Sequence, residues 1–465
     1  MTELDLNDVR FLSNSVADSF GRVFTYEGQI YRMVSPEQES LCREMLEARF
    51  FRKLTELEYI PRTVVEEHLT IRSGGRSYLI LWHETCPDTR QHEWSFEMFK
   101  AAVIHLLKVR DICREDGYDL KDYHLGNITF RGTRPVFIDI GSFVKRSADS
   151  VMNDEFFTAC LLPLLLWRDG EYFLNRCIVS DNTHYSFLIP FQQASHSTIV
   201  GSYKSQLSKP AGHRLDIFKN RLKRVYNTCI DVFHLGLRKR TCRDLPVGLP
   251  TVADISRIQR KHLPAAAASH HRTPPLPSDV GWLDSAVGLI LRHCADATTL
   301  TDLAGREGQL CLRLSSCMKL HRVFMIENDE DATDKAFVRF AQNNVTTVTP
   351  VFTNAMFPLH GEQDVRRLRS DLVVALGVSH RLLLSQHFHV SFLFERLSMY
   401  TTRYVCIDFM PSGLCDGPAA APPPSWYNET WFTSHFLMHF RLVRREQLAP
   451  NSILFIGEKK INTKL

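Results

Sequence analysis

Residues 298–456 alternate between apolar runs and segments of helical spacing, and this alternation constrains the fold most. The strand-like runs are residues 298–303, 322–326, 345–352, 371–376, 404–409 and 453–456. Helical spacing appears in residues 331–342, 379–397 and 428–440. This pattern predicts a doubly wound, mostly parallel sheet, which binds ligands at the carboxyl ends of its strands. We therefore expect the chemistry near residues 302–309, 327–330, 353–355, 375–380 and 408–411.

The chain before residue 263 has a different pattern. Short alternating runs at 22–26 and 29–34 predict a hairpin, and 78–82 predicts a strand. Residues 37–57 and 96–116 have helical spacing, and 154–243 is mostly of that kind. Two short segments, 124–130 and 136–143, flank a turn at 131–133. Strands followed by helices are typical of an α+β module.

A seam rich in proline and alanine separates the two patterns. Residues 263–279 contain four prolines, which favour extended and exposed backbone. The sequence therefore predicts a first module over 1–262, a linker over 263–285 and a second module over 286–465.

Composition excludes several classes of protein. The net charge of +4 over 465 residues is far below the footprint of a dedicated nucleic-acid binder. The most basic stretch, 219–243, is interpreted as a solvated helical face. Twelve cysteines without C-x-x-C spacing predict buried thiols in a reducing compartment, and no metal site.

Nothing in the sequence predicts a membrane segment. The first ten residues lack the basic and apolar regions of a signal peptide. The most apolar run, 156–167, is shorter than the ~20 residues that a spanning helix needs. We interpret it as a buried helix and expect a cytoplasmic protein, with its oligomeric state open.

A glycine-rich turn follows the first strand of the second module. Residues 301–310 contain Asp302, Ala304, Gly305 and Gly308 before a helix begins. A turn with few side chains lets a ligand approach the backbone, and the helix N-terminus offers free N–H groups. The stretch resembles the first motif of class I S-adenosylmethionine-dependent methyltransferases, although Ala304 stands where that family usually has glycine. The resemblance implies that Asp302 attracts the cationic amino-acid end of the cofactor.

Further segments extend this resemblance in the same order. Glu327 ends the second strand, where an acidic residue binds ribose hydroxyls in Rossmann-like folds. Thr353 or Asn354 replaces the usual aspartate after the third strand and could bond the adenine edge. Residues 370–380, with Ala375, resemble the fourth-strand segment, 404–411 the fifth strand, and 426–440 a helix before the closing hairpin. The resemblance implies a Rossmann-like methyltransferase domain with a mostly parallel seven-stranded sheet, binding S-adenosyl-L-methionine.

Methyl transfer to an oxygen nucleophile gains from a general base. His380, at the carboxyl end of the fourth strand, is the first choice for that base. His435 and His439 are the alternatives, and a packed structural histidine is the competing interpretation of each.

The first module contains a kinase-like fragment. Asp122, Asn127 five residues later, and Asp139 after an apolar strand resemble the catalytic loop and metal-binding segment of kinase-like phosphotransferases. No glycine-rich phosphate loop precedes them, and Arg32 stands where such a kinase has lysine. We therefore expect a kinase-derived module with altered or lost activity, which would use Mg-ATP only if it is active.

The leading hypothesis is methyl transfer to a small-molecule or oligosaccharide acceptor. The two-module arrangement resembles bacterial methyltransferases of surface or secreted glycans, which implies a glycan acceptor such as a nodulation signal. One alternative is phosphotransfer by Asp122, Asn127 and Asp139. The other is a non-catalytic binding protein built from two degenerate enzyme modules.

Overall fold

The computed structural model describes residues 2–12, 15, 18–73, 76–87, 89–146, 154–170, 172–180, 251–260, 280–414 and 422–460. The basic stretch 219–243 and the seam 263–279 lie outside these residues. The chain forms two compact units. The first comprises residues 1–92, 99–130 and 135–263, and the second comprises 93–98, 131–134 and 264–465.

Twelve strands and seven helices are described before residue 263. The strands are β1 (Thr2–Leu4), β2 (Arg10–Phe11), β3 (Gly21–Tyr26), β4 (Gln29–Val34), β5 (Thr63–Val65), β6 (Leu69–Ser73), β7 (Arg76–Ser77), β8 (Ile80–His83), β9 (Tyr118–Leu120), β10 (Ile128–Arg131), β11 (Arg134–Phe137) and β12 (Phe143–Lys145). The helices are α1 (Glu39–Glu47), α2 (Arg49–Glu56), α3 (Phe96–Glu115), α4 (Asp154–Phe156), α5 (Leu162–Asp169), α6 (Tyr172–Ser180) and α7 (Val252–Ser256). A five-stranded antiparallel sheet in the order β2–β3–β4–β8–β5 dominates the first unit.

The predicted hairpin is confirmed, because β3 and β4 pair along their whole length. The single helix predicted over 37–57 is wrong, because it is two helices separated at Ala48, whose backbone is extended. The second helix has its own cap: the Asp116 carboxylate accepts a hydrogen bond of 2.5 Å from the Phe50 N–H. Asp116, which is distant in sequence, therefore stabilises the start of a second helix here, so that the first helix does not continue.

The apolar run 156–167 is a buried helix, as predicted. A π-helical turn, Phe157–Leu161, joins α4 to α5. Phe156 of α4 and Trp167 of α5 are fully buried. In the part of the chain that the structure describes, no helix has both the length and the apolar character needed to cross a bilayer.

The second unit contains the alternating elements that the sequence predicts. Its strands are β13 (Thr299–Leu303), β14 (Arg322–Glu327), β15 (Val348–Phe352), β16 (Ser370–Ala375), β17 (Thr401–Phe409), β18 (Phe440–Ala449) and β19 (Ser452–Lys459). Its helices are α8 (Val280–His293), α9 (Gln309–Cys317), α10 (Glu330–Gln342), α11 (Glu362–Arg367), α12 (Val390–Tyr400) and α13 (Glu429–His439). Helix α8 begins inside the segment 263–285 that the sequence assigns to the linker, because Trp282, Ala286 and Ile290 are buried.

All seven strands form one sheet, in the order β15–β14–β13–β16–β17–β19–β18. The first five strands of this unit pair in parallel, and β19 lies antiparallel between β17 and β18. The predicted mostly parallel seven-stranded sheet is therefore confirmed. The strand order reverses direction at β13, with β14 on one side and β16 on the other.

The sheet is buried on both faces. Successive side chains of a strand point to opposite faces, so Phe324 and Ile326 of β14 join one core cluster, and Val323 and Met325 join the other. The first cluster includes buried residues of α12 and α13, and the second includes residues of α8, α9 and α10. Two apolar faces explain why these strands are nearly continuous hydrophobic runs.

Two predicted elements of this unit need correction. The helix predicted over 379–397 is broken into a π-helical turn, Arg381–Ser385, and α12. His387 lies between them in the left-handed region, and the His389 ring nitrogen accepts from the Ser391 N–H at the start of α12. The strand predicted from residue 345 begins at Val348, since Asn344 is also left-handed.

Candidate active site

A cavity of about 390 Å³ opens at the carboxyl ends of β13, β14, β15 and β16. This volume is in the range of small-molecule pockets, which is about 300–1,000 Å³. The cavity lies where the strand order reverses at β13, the usual ligand position in a doubly wound sheet. Four of the five segments predicted to carry the chemistry line its wall, whereas 408–411 does not.

The glycine-rich turn is packed tightly against the sheet. The Gly305 N–H donates to the Ile326 carbonyl of the neighbouring strand at 3.1 Å. A Cβ on Gly305 would lie 2.4 Å from Met325 Cγ, and one on Gly308 would lie 2.2 Å from Phe340 Cζ. Gly308 also has a φ of +77°, so any side chain there is strained. Both glycines are needed for the turn to lie on β14 and α10, and they stand behind the cavity wall.

Ala304 and Arg306 form the part of the turn that faces the cavity. Both are in the left-handed region, with φ of +60° and +52°. This conformation costs a residue with a Cβ about 1–2 kcal/mol, so the rest of the turn must hold it. Ala304 lines the cavity without filling it.

Glu327 holds the turn and the end of β14 together. One carboxylate oxygen accepts from the Arg306 N–H at 2.8 Å, and the other accepts from the N–H groups of Asn328 and Asp329 at 2.8 and 3.0 Å. Burial raises the pKa of Glu327, while these three backbone donors lower it. A carboxylate offers about four lone-pair sites, and these donors use three, so capacity remains for about one hydroxyl group in the cavity.

Asp302 lies behind the turn and is only 3% exposed. Its carboxylate accepts from the Cys311 thiol at 3.2 Å. Burial raises its pKa to about 7, and the charge of Glu327 adds to this, whereas the Cys311 hydrogen bond opposes it. The structure therefore places Asp302 under the turn, and any effect on a ligand would pass through the backbone.

Asn354 and Ala375 also lie on the cavity wall. The Asn354 side-chain oxygen accepts from the N–H groups of Met356 and Phe357 at 2.9 and 3.2 Å, which leaves its NH₂ group as the donor. Thr353, also on the wall, donates its N–H to the Glu327 carbonyl at 3.0 Å. Ala375 ends β16 and presents a small apolar surface.

His380 lies on the wall in the turn after β16. This turn is fixed by Asp408, a fully buried residue of β17. The Asp408 carboxylate accepts from the Gly377 N–H at 2.8 Å. The backbone carbonyl of Asp408 accepts from the Ser379 hydroxyl at 2.5 Å. Burial raises the pKa of Asp408 to about 6. Sequence analysis placed residue 408 near the site but gave it no role.

The alternative histidines are absent from the wall of this cavity. The His435 Nδ1 lies 2.9 Å from the Trp431 carbonyl, within the same helix. Sequence analysis also missed wall residues from the π-helical turn and α12, among them Ser385 and Leu393, and Gln386 between these elements. Helical spacing predicted that these segments pack on the sheet, but it could not predict which of their residues face the cavity.

The kinase-like residues lie in the first unit. Asp139 accepts from the buried guanidinium of Arg32 at 3.0 Å and from the Gly141 N–H at 3.0 Å. Arg32 also binds Asp18 at 2.5 Å. Burial is the main factor that raises the pKa of Asp122, and the charge of Asp139 contributes to it. The Asn127 carbonyl accepts from the Ile138 N–H at 2.8 Å, next to Asp139.

The sheet order and the site together define a class. Five parallel strands with the seventh strand antiparallel beside the fifth, a glycine-rich turn after the first and an acidic residue after the second are the class I arrangement. The second unit therefore has the Rossmann-like fold of class I S-adenosylmethionine-dependent methyltransferases.

Comparison with known proteins finds partial similarity to one characterised sequence and to several solved structures. No protein-family model matches the chain. The nodulation protein NoeA of Rhizobium meliloti (strain 1021) is 29% identical over 182 residues, which are 38% of this chain. This chain spans only about a third of that relative, since the match covers 35% of its length.

Among solved structures, the chain is similar to the N-methyltransferase NodS of Bradyrhizobium japonicum WM9. The identity is 13%, the TM-score is 0.31, and 39% of this chain and 99% of that chain are covered. The magnesium protoporphyrin IX methyltransferase of Synechocystis PCC 6803 with bound SAM has 14% identity and a TM-score of 0.30, over 39% and 81% of the two chains.

The buried Asp302 predicts a pH-dependent stability. Its folded pKa of about 7 lies above the ordinary value of 3.8, so the native state binds more protons between these values. The free energy of unfolding should therefore fall as pH rises from about 4 to about 7. Asp302→Asn keeps an acceptor for Cys311 and removes this dependence. Denaturant titrations should show the stability of the wild type falling relative to that of the variant as pH rises from about 4 to about 7. A constant difference between the two proteins would contradict the burial of an ionisable group here.

Proposed function

We propose that the second unit binds S-adenosyl-L-methionine in the cavity and transfers its methyl group to a small-molecule or oligosaccharide acceptor. The observation that carries the proposal is the Glu327 carboxylate on the wall, beside the backbone of the glycine-rich turn. This carboxylate has about one acceptor site left, which suits a ribose hydroxyl, and the NH₂ group of Asn354 suits a ring nitrogen of adenine. Asp302, Ala304, Gly305, Gly308 and Ala375 complete the proposed cofactor site by shaping the turn and the wall.

The chain's own contribution to the reaction is mainly positioning. When bound, the cofactor supplies an electrophilic methyl group on a sulfonium. Holding donor and acceptor in line can contribute roughly 7–11 kcal/mol in favourable cases. We assign His380 as the general base, which would take the proton of the acceptor hydroxyl as the new bond to the methyl carbon forms. Asp408 acts through the backbone of the turn and is a positioning residue.

The acceptor is proposed on separate grounds. Similarity to a nodulation protein over part of the chain supports a nodulation signal as one case of an oligosaccharide acceptor. We propose the two-module organisation that the sequence predicts, with a first module over 1–262 and a methyltransferase domain up to residue 465. The end of the predicted linker 263–285 moves to the start of α8 at Val280, and the domain therefore begins before residue 286.

We also propose that the first module is kinase-derived and has lost phosphotransfer. Its support is the Arg32 guanidinium, which neutralises Asp139, the residue that would hold magnesium by analogy. A divalent cation at Asp139 would compete with the buried guanidinium of Arg32, whose positive charge disfavours a second cation at the same carboxylate. Mg-ATP is therefore no part of the proposed function.

Binding of S-adenosyl-L-methionine tests the cofactor site. Calorimetry should detect micromolar affinity for the full chain, and Glu327→Ala should weaken it by about tenfold to a hundredfold through loss of charged hydrogen bonds. Glu307→Ala is the matched control, because Glu307 belongs to the same turn but pairs with Lys335 and Arg339. No heat and no thermal shift with the wild type would favour the non-catalytic binding protein.

Methyl transfer itself is tested in cells. Mass spectrometry of glycans from cells with and without the gene should show a methyl-sized mass difference. Complementation with His380→Ala should restore little of it, because loss of a general base typically lowers the rate by about 10²–10⁴. His435→Ala is the control and should restore the methylated product. Equal product from the His380 variant would remove that residue from the chemistry.

Nucleotide binding tests the first module. The full chain should show no Mg²⁺-dependent binding of ATP, because Asp139 is already paired with Arg32. Binding that Asp139→Ala abolishes and Asp111→Ala preserves would instead support the phosphotransferase. Asp111 suits the control because its side chain is 55% exposed.

A further inference from the structure

Three phenylalanine rings pack against one another on the second unit. The centroids of Phe388 and Phe392 are 5.7 Å apart, with ring planes 8° from parallel. Phe357 lies 5.5 Å from each of them, 26° from the plane of Phe392. We name Phe357, Phe388 and Phe392 the phenylalanine platform.

The platform is partly exposed, and two of its rings pack against the protein core. Phe357 is 60% exposed, whereas Phe388 and Phe392 are half-buried and pack against the core cluster that contains α12. Single exposed apolar residues are ordinary, but contiguous exposed rings mark a binding surface. The rings are therefore presented to solvent in a fixed arrangement.

The platform adjoins the cavity along three separate segments. Phe357 directly follows Met356, and Phe392 directly precedes Leu393, and both of these neighbours line the cavity. Phe388 lies two residues after Gln386, which also lines it. Each ring is therefore one or two residues along the chain from a residue of the cavity wall.

Polar groups lie close to the platform along the chain. Gln386, His387 and His389 are exposed on the segment that carries Phe388. The Arg396 guanidinium lies 5.1 Å from the centroid of the Phe392 ring. The exposed ring of Phe357, with hydrogen-bonding groups on nearby residues, suits a ligand that has both an apolar face and polar groups. An alkyl chain would contact the rings but would form no hydrogen bonds with these polar groups.

We propose that the phenylalanine platform is a subsite for a pyranose ring of a carbohydrate acceptor. A pyranose presents C–H groups on one face, which stack on aromatic rings, and hydroxyls around its edge. The proposal rests on the proposed methyl transfer, because it assigns the molecule on the platform as the acceptor. It deepens that function by naming a carbohydrate and by placing one of its rings outside the cavity.

Saturation-transfer NMR with the full chain tests the platform. The probes are chitotetraose, cellotetraose and, for an alkyl chain, sodium octanoate. A tetrasaccharide should receive saturation at its ring C–H protons, and Phe357→Ala should weaken its binding by about tenfold. Phe357→Tyr keeps a ring and should restore it. Leu359→Ala is the matched control, since Leu359 is 55% exposed on the same loop but has no ring.

The outcomes separate this subsite from the proposed function. Failure of both tetrasaccharides to bind, binding of octanoate alone, or equal sugar affinity in Phe357→Ala would overturn the platform. Calorimetry with S-adenosylhomocysteine on the same proteins should be unchanged by Phe357→Ala. If the wild type binds sugar through the rings but no S-adenosylhomocysteine, the platform stands as a carbohydrate site and the methyl-transfer proposal fails.

Discussion

The candidate site depends on one buried carboxylate with three backbone donors. Glu327 binds the Arg306 N–H with one oxygen and two N–H groups at the end of its own strand with the other. These bonds keep the left-handed turn at Ala304 and Arg306 in place beside β14. A charged acceptor repays part of its desolvation through such bonds, which are about twice as strong as neutral ones. Glu327 also lines the cavity. One residue therefore fixes the shape of the site and provides a group that can bind a ligand.

The parallel sheet explains why acidic residues collect beneath this site. The carboxyl ends of its strands meet at one edge, so Asp302, Glu327 and Asp408 are buried within a small region. Burial raises the pKa of each carboxyl group, and each of them accepts hydrogen bonds that hold a cavity-forming segment or its support. Asp408 extends this arrangement to the turn with His380. The wall is thereby built from backbone whose position depends on buried side chains.

The sequence predicted the second unit well because its signal is local. Alternating runs identify strands that are buried on both faces, and the residues after them mark the cavity edge. The break at His387 and the capped helix start at Phe50 escaped prediction, since each depends on a backbone conformation or a partner that spacing does not show. The pairing of Arg32 with Asp139 joins residues 107 positions apart, and no local pattern contains it. Glycine motifs suggested cofactor contact, whereas the structure gives Gly305 and Gly308 close packing beneath the turn.

A crystal structure of the full chain grown with S-adenosylhomocysteine tests the central claim most directly. The account predicts a ribose hydroxyl within hydrogen-bond distance of the Glu327 carboxylate, and the adenine ring near Asn354. The amino-acid end should lie along the backbone at Ala304. A nucleoside bound elsewhere on the protein, or a cavity that excludes it from Glu327 while binding occurs in solution, would contradict the account.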